Sequence, residues 1–345
     1  MNPDELRDKL TEFLKRSHGA RSVRVEGLRF LTGGASRQTW SFDAVIEDAR
    51  GQNSTLPLVL RSDPRRGPGL MGGEMEYRIL KAAGEAGVPV PKVHLMGDDS
   101  LGAPFYLMAR VEGETIPRRL LRDDVYAEAR RSMTGQLGGI LAGIHRIPIE
   151  QHGLDALPAP APDASPAETE VSRYEQIYRA VTLEPHPAFE LAFRWLRQRL
   201  PSTGQRRVLV HGDYRLGNVI FGPEGARAIL DWELAHIGDP MEDLGWLCVR
   251  SWRFGNDDLP AGGIGTREEL WRGYEAAGGF PVDRGSVRFW EAFGNLRWGV
   301  SCIIQARAYL NRSAGMGAGE LLEHGSIGRR IAETEWELLK LMEEG

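Results

Sequence analysis

The chain has 345 residues, 41% of them hydrophobic and 26% charged, and a formal net charge of −5. That length suits one two-lobed domain or two domains; the mild acidity lacks the basic stripe of a nucleic-acid binder, and no run approaches the roughly 20 apolar residues of a membrane-spanning helix. Cys248 and Cys302, its two cysteines, each sit in an apolar helical stretch and read as buried free thiols of a cytoplasmic protein, not as a disulfide framework or metal cluster.

Residues 1–15 alternate charge with Leu6, Leu10, Phe13 and Leu14, which predicts an amphipathic helix without the apolar core of a secretory signal. Residues 23–31 and 38–46 read as strands around Thr32-Gly33-Gly34-Ala35-Ser36, and a polar turn leads into a third strand over 55–61. A Pro- and Gly-rich loop, 63–73, precedes a helix over 74–85 that lines Met75, Ile79, Leu80 and Ala83 on one face; extended pieces at 92–96 and 104–111 follow. From Asp123 the character changes. Helical spacing runs over 123–147 and stops before Pro148, resumes at Glu168 and Pro187 after a Pro/Ala-rich loop (157–167), and dominates from Met241 onward. A strand-rich island, 207–232, interrupts the helices.

That island carries the chemistry. Residues 208–221 read apolar strand, polar loop, apolar strand, with His211-Gly212-Asp213 and then Asn218 five positions past the aspartate. His-x-Asp-x-x-x-x-Asn is the spacing of phosphoryl-transfer loops, where the aspartate faces an acceptor hydroxyl and the asparagine reaches a metal. Gly222-Pro223-Glu224-Gly225 predicts a four-residue turn, pairing Phe221 with Ala226 and Asn218 with Ile229. Asp231 would then lie diagonally across from Asn218 on one sheet face, with Cβ atoms roughly 7 Å apart or a little less. One Asp and one Asn leave a magnesium ion room for the phosphate oxygens and waters it prefers. Singly, each residue has a structural reading as a turn, cap or pre-strand residue. Their joint spacing and parity favour chemistry.

His211-Gly212-Asp213 and Asn218, followed by Ile229-Leu230-Asp231-Trp232 and by Gly238-Asp239-Pro240-Met241-Glu242-Asp243-Leu244, resemble the aminoglycoside phosphotransferase family. Within it the resemblance is to the branch related to the kinase-like region of acyl-CoA dehydrogenase family members, and it runs from about Phe30 to the C-terminus. It implies an α+β, protein-kinase-like two-lobed fold: a strand-rich nucleotide-binding lobe over 1–111, and over 112–345 a mainly helical catalytic and substrate-binding lobe with an embedded hairpin. Magnesium and ATP come with it, GTP being left open. By the same resemblance Asp213 is the catalytic base or hydroxyl-orienting group, and Asn218 and Asp231 are magnesium ligands. His211 would brace the loop, and Asp239 and Asp243 would fix it through backbone contacts; a helix N-cap before Pro240 is the other reading of Asp239.

In the first lobe, Gly33, Gly34 and Ser36 lie where the family covers the ATP phosphates. Glycines let backbone N–H groups approach phosphate oxygens, and Ser36 adds a donor; two glycines between strands also make an ordinary hairpin turn. Arg61 stands where protein kinases carry lysine. A guanidinium can bridge phosphate oxygens and a carboxylate, with Glu76 as the expected partner, Glu74 on another helix face as competitor, and a solvated strand end as the bland alternative. Residues 105–112 would form the hinge, the backbone near Ala109 to Val111 pairing with adenine.

A polycationic acceptor calls for a carboxylate-rich site. Residues 286–345 hold eight acidic and seven basic residues together with Trp290, Trp298, Tyr309 and Trp336. This points to a less cationic acceptor with apolar bulk or an anionic handle, such as a hydroxylated metabolite, a hydroxyacyl thioester or a xenobiotic, although aromatics at helical spacing also make core. The expected activity is γ-phosphoryl transfer from a nucleoside triphosphate to a small-molecule hydroxyl, with no nucleic-acid or membrane partner and an open oligomeric state. The alternatives are an aminoglycoside or other antibiotic phosphotransferase, a catalytically silent nucleotide-binding pseudokinase, and a hydrolase using the same carboxylates with water.

Overall fold

The computed structural model describes residues 2–31, 38–62, 71–201, 206–312 and 318–344. Gly33, Gly34 and Ser36 lie outside the described residues. The chain forms two compact units: Met1–Glu114 with Pro148–Ala156 and Arg227–Leu234, and Thr115–Ile147 with Leu157–Ala226 and Ala235–Gly345.

The first unit contains α1 (Pro3–His18), β1 (Ser22–Phe30), β2 (Gln38–Glu47), β3 (Asn53–Ser62), α2 (Gly73–Glu85), β4 (Val93–Met96) and β5 (Phe105–Ala109). The strands form an antiparallel sheet in the order β1-β2-β3-β5-β4. Apolar residues three and four apart give α1 one greasy face, and Leu6, Leu10, Phe13 and Leu14 are all buried on it, with Phe13 edge-on to Phe105 at 4.9 Å. The Asn2 side chain accepts the Asp4 N–H at the start of α1, a cap that satisfies an otherwise orphaned donor. Along β2, Phe42, Ala44 and Ile46 alternate into the same core as Leu58 and Leu60 of β3, the period of two that a half-buried sheet requires. The segment Arg227–Leu234 is tied to this unit: Ile229 N–H donates to Pro89 O at 2.8 Å and Arg227 Nη1 to Glu112 O at 2.8 Å.

The second unit is mainly helical, with α3 (Pro117–Arg122), α4 (Ala127–Ile144), α5 (Pro166–Val181), α6 (Pro187–Gln198), α7 (Met241–Leu247), α8 (Arg267–Ala276), α9 (Arg284–Leu310), α10 (Ala318–Ile327) and α11 (Arg330–Glu344). Short strands punctuate it: β6 (Val208–Val210) pairs with β9 (His236–Gly238), and β7 (Val219–Gly222) with β8 (Gly225–Ile229), whose chain passes into the first unit at Arg227.

The helix expected over 123–147 is α4, Ala127–Ile144, entered through a single 3-10 turn at Asp124–Tyr126, and a short helix not expected from the sequence, α3, ends just before it. Arg130 Nη1 donates to the carbonyls of Leu120 and Asp123, satisfying the orphan acceptors at the end of α3 and so stabilising a break there. Helix α4 then packs directly on α8, because at Gly138 a Cβ would lie 2.3 Å from Leu270 O; only glycine permits that approach. Both cysteines are buried free thiols, and burial pushes each up to about 12. No helix among the described residues is long and apolar enough to cross a membrane.

Candidate active site

Strand β6 delivers the chain into a loop, His211 to Tyr214, whose backbone is gripped by side chains from the helices around it. Asp243, fully buried in the first turn of α7, accepts His211 N–H at 2.8 Å through Oδ2 and Gly212 N–H at 3.0 Å through Oδ1. Its Oδ2 also lies 3.1 Å from His145 Nε2 at the end of α4, and His145 Nδ1 meets the Tyr274 hydroxyl of α8 at 3.0 Å. A carboxylate only accepts, so Nε2 carries the proton. The close α4–α8 packing at Gly138 thereby sets the His145 ring that steadies Asp243. The turn itself needs Gly212, whose φ of 79° is left-handed.

From the other side, Arg297 of α9, also buried, donates to Gly212 O at 2.8 Å and to Glu242 Oε1 at 3.1 Å, and lies 4.5 Å over the Trp246 ring. His211 braces the loop internally: its Nδ1 accepts Asp213 N–H at 3.2 Å.

Burial alone would raise the Asp243 carboxyl, but the His145 hydrogen bond, the charges of His145 and His211 and the His211 N–H outweigh it, so its pKa stands below the usual carboxylate value. A group depressed in the folded state contributes stability that is present above its unfolded value, about 3.9, and lost as pH falls through the folded value. Asp243→Asn should therefore lower the melting temperature clearly at neutral pH. The gap to wild type should close as pH falls below about 4. A gap that stayed constant across a pH series of thermal melts would refute this role.

On this loop the Asp213 carboxylate is fixed by three N–H donors: Arg215 Nε at 3.0 and 3.1 Å to its two oxygens, Trp246 Nε1 at 2.9 Å and Asn218 Nδ2 at 2.7 Å. Asn218 Nδ2 also donates to Asp213 O at 2.9 Å. With its amide nitrogen committed to Asp213, Asn218 keeps Oδ1 as a hard oxygen ligand, the donor type magnesium takes. The Arg215 guanidinium in turn lies 4.9 Å over the Trp252 ring, so a cation sits against the candidate catalytic carboxylate.

In the first unit, Arg61 Nη1 lies 3.3 Å from Glu76 Oε1 and Nη2 lies 4.0 Å from Asp231 Oδ1, while the competitor Glu74 pairs with Arg78 at 2.6 Å. Arg61 Nε is buried without a hydrogen-bond partner among the described residues, a donor in search of an acceptor. Asp231 has φ of 65°, a left-handed conformation that Asp tolerates better than most side chains but that still marks a constrained position. Its carboxylate is another hard oxygen donor. At the end of β5, Ala109 N–H donates to Lys92 O at 2.8 Å and Arg110 N–H to Pro57 O at 2.9 Å, and Val111 follows immediately.

Asp239 precedes Pro240, the residue that caps α7, and its carboxylate ties the start of that helix to α9. Its Oδ1 accepts Met241 N–H at 2.9 Å at the start of α7, and its Oδ2 accepts Trp290 Nε1 at 3.1 Å; burial raises its carboxyl pKa. Arg215, Trp246, Arg297, His145 and Tyr274 lie outside the sequence-derived set. Only Arg215 carried a readable signal, as a charge inside the motif two residues past Asp213.

A model of the phosphotransferase enzyme family matches residues 27–280. The chain belongs to the phosphotransferase enzyme family. Among relatives, mouse acyl-CoA dehydrogenase family member 10 is 33% identical over 300 residues, covering 81% of this chain and 27% of that protein. The chain spans only about a quarter to a third of the length of such curated relatives. Among solved structures, a putative aminoglycoside phosphotransferase from Ralstonia eutropha is 26% identical with a TM-score of 0.72, covering 96% of this chain and 98% of that one. A thermostable mutant of aminoglycoside phosphotransferase APH(4)-Ia, solved as a ternary complex with AMP-PNP and hygromycin B, has a TM-score of 0.59 at 17% identity over 98% of both chains, a likeness of fold alone. In common with this family the chain has an α+β, two-lobed kinase-like fold: an N-terminal five-stranded antiparallel sheet, a mostly helical C-terminal part and small hairpins.

Proposed function

We propose that this phosphotransferase is a cytoplasmic small-molecule kinase that moves the γ-phosphoryl group of ATP, with magnesium, onto a hydroxyl of a hydroxylated metabolite, hydroxyacyl thioester or xenobiotic. The observation that carries the reading is the Asp213 carboxylate, held by Arg215, Trp246 and Asn218 on a loop whose N–H and C=O groups are anchored by Asp243 and Arg297. Each carboxylate oxygen takes two contacts, Arg215 Nε being shared between both, so a substrate hydroxyl would take the place of one limb of the shared Arg215 contact. Phosphoryl transfer needs little covalent work from the protein, so orientation and charge neutralisation dominate. Asp213 would align the acceptor oxygen and take its proton. Magnesium, when bound, supplies charge neutralisation on the β- and γ-phosphates.

Asn218 and Asp231 are the proposed magnesium ligands, and the buried Nε of Arg61 is the proposed donor to a phosphate oxygen. Glu76 would hold Arg61 in place. Gly33, Gly34 and Ser36 are proposed to cover the phosphates. Because Ala109 and Arg110 already donate their N–H groups, adenine would meet the Ala109 carbonyl and the Val111 backbone. In this reading residues 1–111 bind nucleotide, and 112–345 supply catalysis and the acceptor site.

Calorimetric titration of ATP with and without magnesium tests the ligand assignment. Wild type should bind ATP in a magnesium-dependent way, and Asp231→Ala should bind at least roughly tenfold more weakly, with the magnesium dependence gone. Unchanged magnesium-dependent binding in Asp231→Ala would remove that residue from the metal site. Magnesium-dependent nucleotide binding without any phosphoryl transfer would favour the pseudokinase.

A further inference from the structure

We propose that Arg215 is a further catalytic residue, donating through Nη1 and Nη2 to oxygens of the phosphoryl group in transfer, and that Gly217 provides the clearance that seats it. This rests on the reading above, in which Asp213 orients the acceptor hydroxyl, and it adds a second group acting on the same step. In that step the acceptor oxygen bonds to the γ-phosphorus as the bond from that phosphorus to the bridging oxygen of ADP breaks. The hydroxyl proton goes to Asp213, and the bridging electron pair leaves with ADP.

The local backbone puts both side chains on one face. Arg215 is extended, with φ of −150° and ψ of 161°, and side chains two apart on an extended chain point the same way. Tyr214 between them is buried, its hydroxyl donating to Leu137 O at 3.0 Å. Arg215 Nε thereby reaches both Asp213 oxygens, at 3.0 and 3.1 Å. An arginine that serves only to fix a carboxylate meets it with two parallel N–H bonds from its fork. Arg215 uses the single Nε–H, and its Nη1 and Nη2 have no hydrogen-bond partner among the described residues. Four N–H donors on a cation therefore stand open beside the candidate base.

The guanidinium is held in place without those four donors. It lies 4.9 Å over the ring of Trp252, which packs in turn on Trp246 at 5.4 Å and Trp298 at 4.9 Å. Its Nη1 comes so close to Gly217 that a Cβ there would lie 2.2 Å from it, and Arg215 is the one non-neighbouring residue among those described that such a Cβ would meet. Gly217 is not left-handed, so the glycine serves clearance and not the turn. A hydroxyl within about 2.6–3.2 Å of Asp213 attacks a phosphorus about 3–3.5 Å further on. The transferring oxygens then come close to a cation that is itself 3.0 Å from the same carboxylate. Charge in the transition state is spread over three equatorial oxygens, and donors fixed beforehand stabilise it without reorganising. When the acceptor hydroxyl takes one limb of the shared Nε contact, the guanidinium keeps the other and stays seated.

The test needs no identified acceptor. Calorimetric titration of the intact protein with magnesium-ADP is run with and without aluminium fluoride, a mimic of the phosphoryl group in transfer. Wild type should bind magnesium-ADP more tightly when aluminium fluoride is present. Arg215→Gln should bind magnesium-ADP unchanged and lose roughly tenfold to a hundredfold of that gain. Gly217→Ala keeps the charge and displaces the guanidinium, so it should lose most of the gain as well; it decides alone if Arg215→Gln does not fold. A full gain in either folded variant, or wild type that binds magnesium-ADP with no gain, would overturn the proposal and leave the kinase reading standing. Wild type that binds no magnesium-ADP at all would sink the kinase reading, and the role of Arg215 with it.

Discussion

Asp213→Asn should lower turnover by roughly a hundredfold to ten-thousandfold, the range a positioned proton acceptor supplies, while magnesium-ATP still binds. The carboxylate accepts from Arg215, Trp246 and Asn218 together. An amide at that position has one acceptor oxygen, and its NH2 group would face at least one of those N–H donors. The substitution thus removes the proposed proton acceptor and also frees the side chain to turn away from its observed orientation. Steady-state kinetics with parallel nucleotide titrations separates this from unfolding. Turnover within tenfold of wild type would remove Asp213 from the chemistry.

Arg297→Met should be the most destabilising of these substitutions, costing about 3–5 kcal/mol, because breaking a buried ion pair leaves the partner charge uncompensated. Burial works against the Arg297 charge, yet Tyr174, Glu242, Glu170 and Asp213 hold its pKa above the ordinary arginine value. Losing it leaves buried Glu242 with His236 Nε2, 3.1 Å from its Oε2, in place of a permanent cation, and frees Gly212 O, so the turn that carries Asp213 should loosen and activity fall with stability. Replacing both partners, Arg297→Met with Glu242→Leu, should cost less than the single change, since paired apolar groups remove the stranded charge. Denaturant midpoints at constant slope measure both. A double variant less stable than Arg297→Met would show that the pair itself, not the uncompensated glutamate, carries the effect.

The first unit was legible wherever periodicity is long enough to read. The apolar stripe of α1 and the alternation of β2 and β3 are local signals, and their observed bounds, Pro3–His18, Gln38–Glu47 and Asn53–Ser62, lie close to the expected ones. Strand β9, His236–Gly238, was not legible, because three residues carry no period and pairing with distant β6 defines it. The break between α3 and α4 depends on Arg130 reaching back to two carbonyls, which no residue pattern announces.

At the site, the motif spacing exposed Asp213 and Asn218 because both sit on one short loop. It could not expose the scaffold around them. His145 reaches Asp243 across 98 positions of sequence, and Tyr274 reaches His145 across 129. Trp246 reads as one more apolar helical residue until its indole N–H is seen donating to Asp213. The choice between Glu76 and Glu74 likewise needed the helix in place: α2 buries Glu76 and leaves Glu74 outward with Arg78.

The most direct measurement is mass spectrometry of hydroxylated metabolites, antibiotics and hydroxyacyl thioesters incubated with the protein and magnesium-ATP. Wild type should add the mass of one phosphate to at least one hydroxyl compound, and the Asp213→Asn protein should add none. No mass gain on any compound from wild type that binds magnesium-ATP, or equal gain from the variant, would contradict phosphoryl transfer through Asp213.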